Sequence, residues 1–418
     1  MFQSRMAARL ALAVLVLVVA LLVATPLRVH VFIALLLLYA LAFVIVNRQQ
    51  LEVTGTDKLV MLVLCSYAIG HLPGFVMSDY SWRYLAVGLH MVALIPIYLM
   101  LRMVLDEGWL RHYRNGLEWS AVAGAMAALL LALYQVVVQG NGRADGFLFH
   151  INFGYLVASL FFLLVAMVPS SARRGWLVAG ATAALVATAL STSRGALFAV
   201  PLVAAFLVLL HWRHFGARRM AISAGAFTVV AVLGYLVIPQ VEQRVDVTVD
   251  EVARTLEGDY SHNSAGGRVR LWAGAIAAFQ QNPWVGLTYD DREALNARLA
   301  DDANSIVDDW TATISRGHAH SQYFEVMATG GVVGLVALAF YLLLPGLYFL
   351  RGYLVARDNP YHFIGLLFSA GFIVFCLSEV ALQHEMIGTY YAFMLLVLYV
   401  MAQVHECARA EAPSPVAR

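Results

Sequence analysis

The sequence predicts an all-α fold of the membrane-spanning kind, a polytopic bundle of about twelve transmembrane helices with one large, partly helical loop. Three observations predict it. Of the 418 residues, 61% are hydrophobic and only 13% charged, where a soluble domain carries roughly a quarter charged residues. The apolar residues run in blocks of about twenty, the length that crosses a bilayer core as a helix. Half of the 26 acidic residues fall in a single stretch, 239–320. This pattern excludes a disordered chain, a soluble nucleotide-binding enzyme and a disulfide-stapled secreted scaffold. The net charge of +1 points to no nucleic-acid partner, and with Lys58 as the only lysine there is no lysine-rich tract.

The predicted spans lie near 7–25, 28–46, 59–77, 84–105, 118–139, 151–168, 176–192, 195–212, 220–238, 321–350, 361–383 and 387–403. The first resembles a signal peptide, since Arg5 and Arg9 precede an apolar run ending at Ala24-Thr25-Pro26. That run is longer than a signal core and a second span follows at once, which predicts a retained helix. The chain then divides into nine spans over 1–238, a loop over 239–320, three spans over 321–404 and a tail over 405–418. No internal repeat supports an inverted-repeat transporter.

Orientation follows from the basic residues, which accumulate in cytoplasmic loops. With the N-terminus in the cytoplasm, sixteen basic residues fall inside, among them Arg48, Arg111, Arg114, Arg173, Arg174 and Arg351. The short outer connections hold four: Arg28, Arg83, Arg143 and Arg194. Both termini are then cytoplasmic and 239–320 faces outward. A loop of that length is expected to be functional and partly helical. Within it, Arg268 to Gln281 reads as an amphipathic helix with Val269, Trp272, Ile276 and Phe279 on its apolar side, stopped by Asn282-Pro283. A second helix is expected near Asp290-Asp291, whose carboxylates suit a helix N-terminus. Cys65 and Cys376 lie in spans and Cys407 in the tail, so no disulfide staples the loop.

A few polar residues stand out at the outer boundary. Inward arginines are topology anchors, and His71 and His90, inside spans, read as helix-packing hydrogen bonders. Arg194 differs: Ser191-Thr192-Ser193-Arg194-Gly195 is a tight outer turn, and an arginine there opposes the inward bias. It either meets an anionic lipid headgroup or simply snorkels. Arg268 and Arg270 follow the run Ser264-Ala265-Gly266-Gly267 and open the loop helix. There they could clamp a phosphate through forked hydrogen bonds, or pair with the loop's carboxylates. His318-Ala319-His320 stands where the loop re-enters the membrane. Two imidazoles at i and i+2 diverge in a helix, and no cysteine or second histidine pair completes a zinc set, so no metal is expected. A neutral histidine at a wet boundary is suited to general-base work, against the plainer reading of a surface histidine.

Taken together, these residues resemble the O-antigen ligase and O-antigen polymerase superfamily of bacterial inner-membrane proteins. The family's His-(Asn/Ser/Gln), then nine intervening residues, then Gly-x-x-Gly stands here as His320-Ser321, residues 322–330 and Gly331-Val332-Val333-Gly334. Its Gly-Arg-x-x-x-Trp segment is similar to Gly267-Arg268 through Trp272, its Asn-Pro-x-x-Gly to Asn282-Pro283-Trp284-Val285-Gly286, and its Ser-Arg-Gly turn to Ser193-Arg194-Gly195. The resemblance spans roughly 185–340 in motifs and the whole chain in topology.

The resemblance implies an O-antigen ligase. Such an enzyme moves a preassembled glycan from an undecaprenyl-pyrophosphate donor to lipid A–core in lipopolysaccharide biosynthesis, at the periplasmic face of the inner membrane. It also implies Arg194 and Arg268 as pyrophosphate ligands and His320 as the catalytic residue, with Arg270 and His318 as lesser candidates. No cofactor is expected, and no Asp-x-Asp segment is present to clamp a nucleotide sugar through a metal. The competing readings are an O-antigen polymerase, a protein O-oligosaccharyltransferase and, from another class, a secondary transporter. The transporter would place functional charges near the bilayer midplane, whereas the distinctive residues here gather at the outer face.

Overall fold

The computed structural model describes residues 2–211, 236, 239–260, 264–314 and 318–411. Among the described residues the chain is helical and holds no strand. The predicted spans reappear in order as α1 (Phe2–Ala20), α2 (His30–Val46), α3 (Gly55–Met77), α4 (Ala86–Val92) with α5 (Ile95–Val104), α6 (Glu107–Leu133), α7 (His150–Met167), α8 (Arg174–Leu190) and α9 (Arg194–His211). The ninth predicted span, 220–238, lies outside the described residues. Among the described residues eight helical segments are long and apolar enough to cross a membrane, α4 and α5 counting as one, while α2 and α8 are apolar but shorter. The protein is a polytopic helical membrane protein.

Four helices build the predicted loop: α10 (Pro239–Leu256), α11 (Ser264–Gln281), α12 (Tyr289–Ala300) and α13 (Asp309–Thr313). The expected start near Asp290 holds, for Thr288 caps α12 by accepting a hydrogen bond from the Asp291 N–H and both aspartates occupy its first turn. The start of α11 differs from the reading above. It begins at Ser264, a turn early, so Gly266 and Gly267 are buried helical residues and Arg268 and Arg270 lie inside the helix rather than at its open end. Its packed side is Leu271, Ala275 and Ala278 with Trp272, while Ile276 is exposed. Hydropathy alone misplaced that face because small residues, not large ones, allow α11 to press against α14.

The last three helices are α14 (Gln322–Val355), α15 (Pro360–Ser378) and α16 (Glu385–Glu411), the last running through the predicted start of the tail. Helices α7, α15 and α16 are the most buried and form the middle of the bundle. Two predicted spans need correction here. The tenth is not one continuous helix, because α14 breaks at Gly331, whose φ of 57° and ψ of −149° are open only to glycine. The eleventh does not reach residue 383. Helix α15 ends at Ser378, and Glu379 follows in extended backbone.

The break at Gly331 is where two of the sequence motifs meet. The Val332 N–H donates to the Pro283 carbonyl at 2.8 Å, the Val333 N–H to the Trp284 carbonyl at 3.1 Å, and the Leu287 N–H to the Ala328 carbonyl at 2.8 Å. The Asn-Pro-x-x-Gly loop thus satisfies the amides that the restarting helix would otherwise leave open. A Cβ at Gly331 would lie 2.5 Å from the Pro283 oxygen. Residues 322–330 therefore form a short helix beside the loop helices, and the long apolar stretch starts only at 332.

Candidate active site

His318, Ala319 and His320 pass between α11 and the first turns of α14, with both backbone polar groups of Ala319 held. Its carbonyl accepts from the Trp272 indole N–H at 3.0 Å, and its N–H donates to the Glu325 carboxylate at 2.9 Å. Trp272 also stacks on Phe324, centroids 4.8 Å apart. Glu325 is fully buried and receives the equally buried Arg292 guanidinium at 2.9 Å. Removing one partner of such a pair leaves an uncompensated buried charge, at a cost of about 3–5 kcal/mol. This scaffold over-determines the turn and so sustains a φ of 45° at His320, a left-handed value uncommon outside glycine.

Both imidazoles converge on one carboxylate. His320 Nδ1 lies 2.9 Å from Glu379 Oε2 and His318 Nε2 lies 3.2 Å from Glu379 Oε1. Glu379 Oε1 also accepts the Val380 N–H at 3.0 Å, and the Glu379 carbonyl accepts the Gln322 N–H at 3.2 Å. The end of α15 at Ser378 is what frees this residue to turn toward the histidines. Burial opposes the Glu379 anion, but hydrogen bonds from His318 and His320 outweigh it and hold the carboxyl well below the usual range. Burial likewise opposes a charged His318. The Glu379 hydrogen bond and the fields of Glu325 and Glu379 overcome it, and the His318 pKa is raised above 6.5. The side chain of His320 is 32% exposed and that of Glu379 13%, so the imidazole is the more open of the two to a ligand.

Glycine at 195 brings Arg194 to the same place. A Cβ there would lie 2.1 Å from the Ser378 hydroxyl and 2.4 Å from the Tyr155 hydroxyl, so only glycine lets α9 start against α7 and the end of α15. The preceding Thr192 takes a φ of 52° to make the turn. Tyr155 and Ser378 are themselves hydrogen-bonded at 3.0 Å. Arg268 stands one helical turn before Trp272, whose indole donates to the Ala319 carbonyl, which places Arg268 on this flank too. The Arg194 guanidinium is forked onto Glu251 of α10, with N–O distances of 2.5 and 3.4 Å. Arg270 pairs with Asp308, the residue that also caps α13. Of the two arginines on α11, Arg270 thus follows the pairing alternative, while Arg268 makes no ion pair among the described residues.

One ring nitrogen each of His318 and His320 and a Glu379 oxygen lie within 4.8 Å of one another, a spacing that could hold a metal ion. Glu379 supplies the third donor that the sequence reading lacked. The same side chains make the two histidine–carboxylate hydrogen bonds, and a cation would require His318 neutral against its raised pKa, so metal and proton compete for one site. Sequence reasoning missed Glu379, Glu325 and Arg292. Two of these are carboxylates inside runs read as membrane spans, and an ionisable residue in such a run is a functional signal by default.

Residues 179–339 match a family model described as O-antigen ligase, a segment that contains Arg194, Arg268, Arg270, His318, His320 and Gly331. An uncharacterized protein of Haemophilus influenzae is 21% identical over 319 residues, covering 74% of this chain and 77% of that protein. The match at 179–339 supports membership in the O-antigen ligase/polymerase superfamily.

Proposed function

We propose that the protein is an O-antigen ligase. It would transfer a glycan from an undecaprenyl-pyrophosphate donor to a sugar hydroxyl of lipid A–core, at the periplasmic face of the bacterial inner membrane, with 239–320 outside and both termini in the cytoplasm. The observation that carries this reading is the pair of histidines of the family-matched segment on the single carboxylate of Glu379, which lies beyond that segment, with Arg194 and Arg268 beside them.

The chemistry follows from the tautomer. With Nδ1–H donated to Glu379, His320 presents Nε2 as its basic nitrogen. Nε2 takes the proton of the acceptor hydroxyl as the oxygen bonds to the anomeric carbon of the donor. The bond from that carbon to the phosphate oxygen breaks on the opposite side, and undecaprenyl pyrophosphate leaves with the electron pair. This is a single displacement with inversion. Glu379 stabilises the imidazolium as it forms, the role a carboxylate plays behind a hydrolase histidine. Arg194 and Arg268 neutralise the leaving diphosphate, with the charged form of His318 and Arg270 in support. Arg194 must exchange Glu251 for the donor to do so. The donor's tail and the lipid of the acceptor would rest in the surrounding membrane.

The test is reconstitution of purified protein with lipid-linked O-antigen and rough lipopolysaccharide, with and without excess EDTA. A ladder on lipid A–core in both conditions is expected. Polymer extended only on the lipid carrier would make the protein a polymerase. A ladder lost in EDTA and restored by a divalent cation would assign the histidine–glutamate cluster to a metal.

A further inference from the structure

We propose that α10 is an interfacial helix seated on the membrane surface at the active-site end, with a stripe of aliphatic side chains in the lipid. Val245, Val249, Val252 and Leu256 are 42, 63, 45 and 84% exposed. Their spacing of four, three and four residues puts them on one face of the helix. Polar residues occupy most of the rest, Val247 at 38% exposed being the aliphatic exception, and Asp250 and Arg254 form an exposed ion pair at 2.8 Å away from that stripe. A water-facing helix has no reason to carry four unpartnered aliphatic residues in register, whereas a helix lying in the headgroup region has.

The depth of α10 follows from its bond to Arg194. That arginine is the first residue of α9, a helix long and apolar enough to span the membrane, so it marks the level where the bilayer core meets water. Glu251 is forked onto it and α10 must lie at the same level. Below it, α9 exposes Phe198, Leu202 and Leu209, a surface that faces lipid in any membrane protein of this kind. With Glu251 holding α10 at that level, its aliphatic stripe is placed to enter the lipid around α9. The occupant is therefore the bilayer itself, not a second copy of the chain or a soluble protein.

The experiment uses the full-length protein in vesicles of phosphatidylethanolamine and phosphatidylglycerol, with the native cysteines replaced and one spin label at a time at 249, 250, 252, 254 and 256. Collision with molecular oxygen, which concentrates in lipid, is compared with collision with a water-soluble nickel chelate. Val249→Cys, Val252→Cys and Leu256→Cys labels should favour oxygen severalfold over Asp250→Cys and Arg254→Cys labels. Equal nickel access at all five positions would overturn the proposal. So would protection of 249 and 252 from both reagents, which would mean that protein covers the stripe. Because all five side chains are exposed, unchanged thermal unfolding of each labelled variant identifies folded samples. Neither readout depends on glycan transfer, so a failed ligase assay leaves this result standing.

Discussion

Glu379→Gln is the most informative substitution, because it keeps the shape of the side chain and removes one function. The carboxylate accepts from both imidazoles and from the Val380 N–H. A carboxamide can accept from one imidazole only and turns its NH₂ toward the other, donor against donor. At least one hydrogen bond to a charged group is lost, each contributing about 1.5–3 kcal/mol. At about 1.36 kcal/mol per tenfold, a bond needed in the transition state corresponds to a loss of about 10- to 160-fold in kcat. If His320 reverses its tautomer, the loss approaches the roughly 10⁴-fold seen when a triad aspartate becomes asparagine. Donor KM should not change, since Arg194 and Arg268 are untouched. The His318 titration, followed by NMR of ring-labelled protein, should fall, because burial then acts without the Glu379 charge. The sign for stability is also defined. A histidine with a raised pKa contributes stability fully below about 6.5 and loses it as pH rises through the folded value. Wild-type melting temperature should therefore decline over that window, and Glu379→Gln should lack the decline. Wild-type kcat with an unmoved His318 titration would refute the assignment of Glu379.

Three further outcomes are expected. His320→Ala should lower transfer at least about 100-fold while donor-lipid binding persists, and His318→Ala should be milder; the opposite order would show that the base is His318. Arg268→Lys keeps the charge but loses the forked geometry, so it should retain only a small part of the activity and Arg268→Ala less, with equal activity in the lysine variant and wild type counting against a bidentate contact. Gly331→Ala forces a side chain into a glycine-only conformation and against the Pro283 carbonyl, a cost of at least about 1–3 kcal/mol, so its melting temperature should drop well below that of Gly175→Ala, where nothing lies within 4 Å.

What the sequence made legible was burial, and what it concealed was the direction of the backbone. Long apolar blocks mark helices in a bilayer whatever their order, and the described helices lie where those blocks lie. The family motifs likewise marked Arg194, Arg268 and His320, which the fold brings to one end of the bundle. Hydropathy is insensitive to a backbone break, however, and both decisive breaks fall inside apolar runs. At Gly331 the chain steps out of one helix and into another. At Ser378 the helix stops and Glu379 turns to the histidines. The first break sets 322–330 beside α11, where Glu325 grips Ala319. The second delivers the carboxylate that orients both imidazoles. The glycines and the asparagine–proline turn therefore shape the candidate site as much as the histidines do. They fold the re-entry point so that a basic nitrogen, its carboxylate and two arginines share one boundary. A carboxylate in an otherwise apolar run was the available clue. Its partners, 59 and 61 residues earlier in the chain, could be named only once the break at Ser378 was seen.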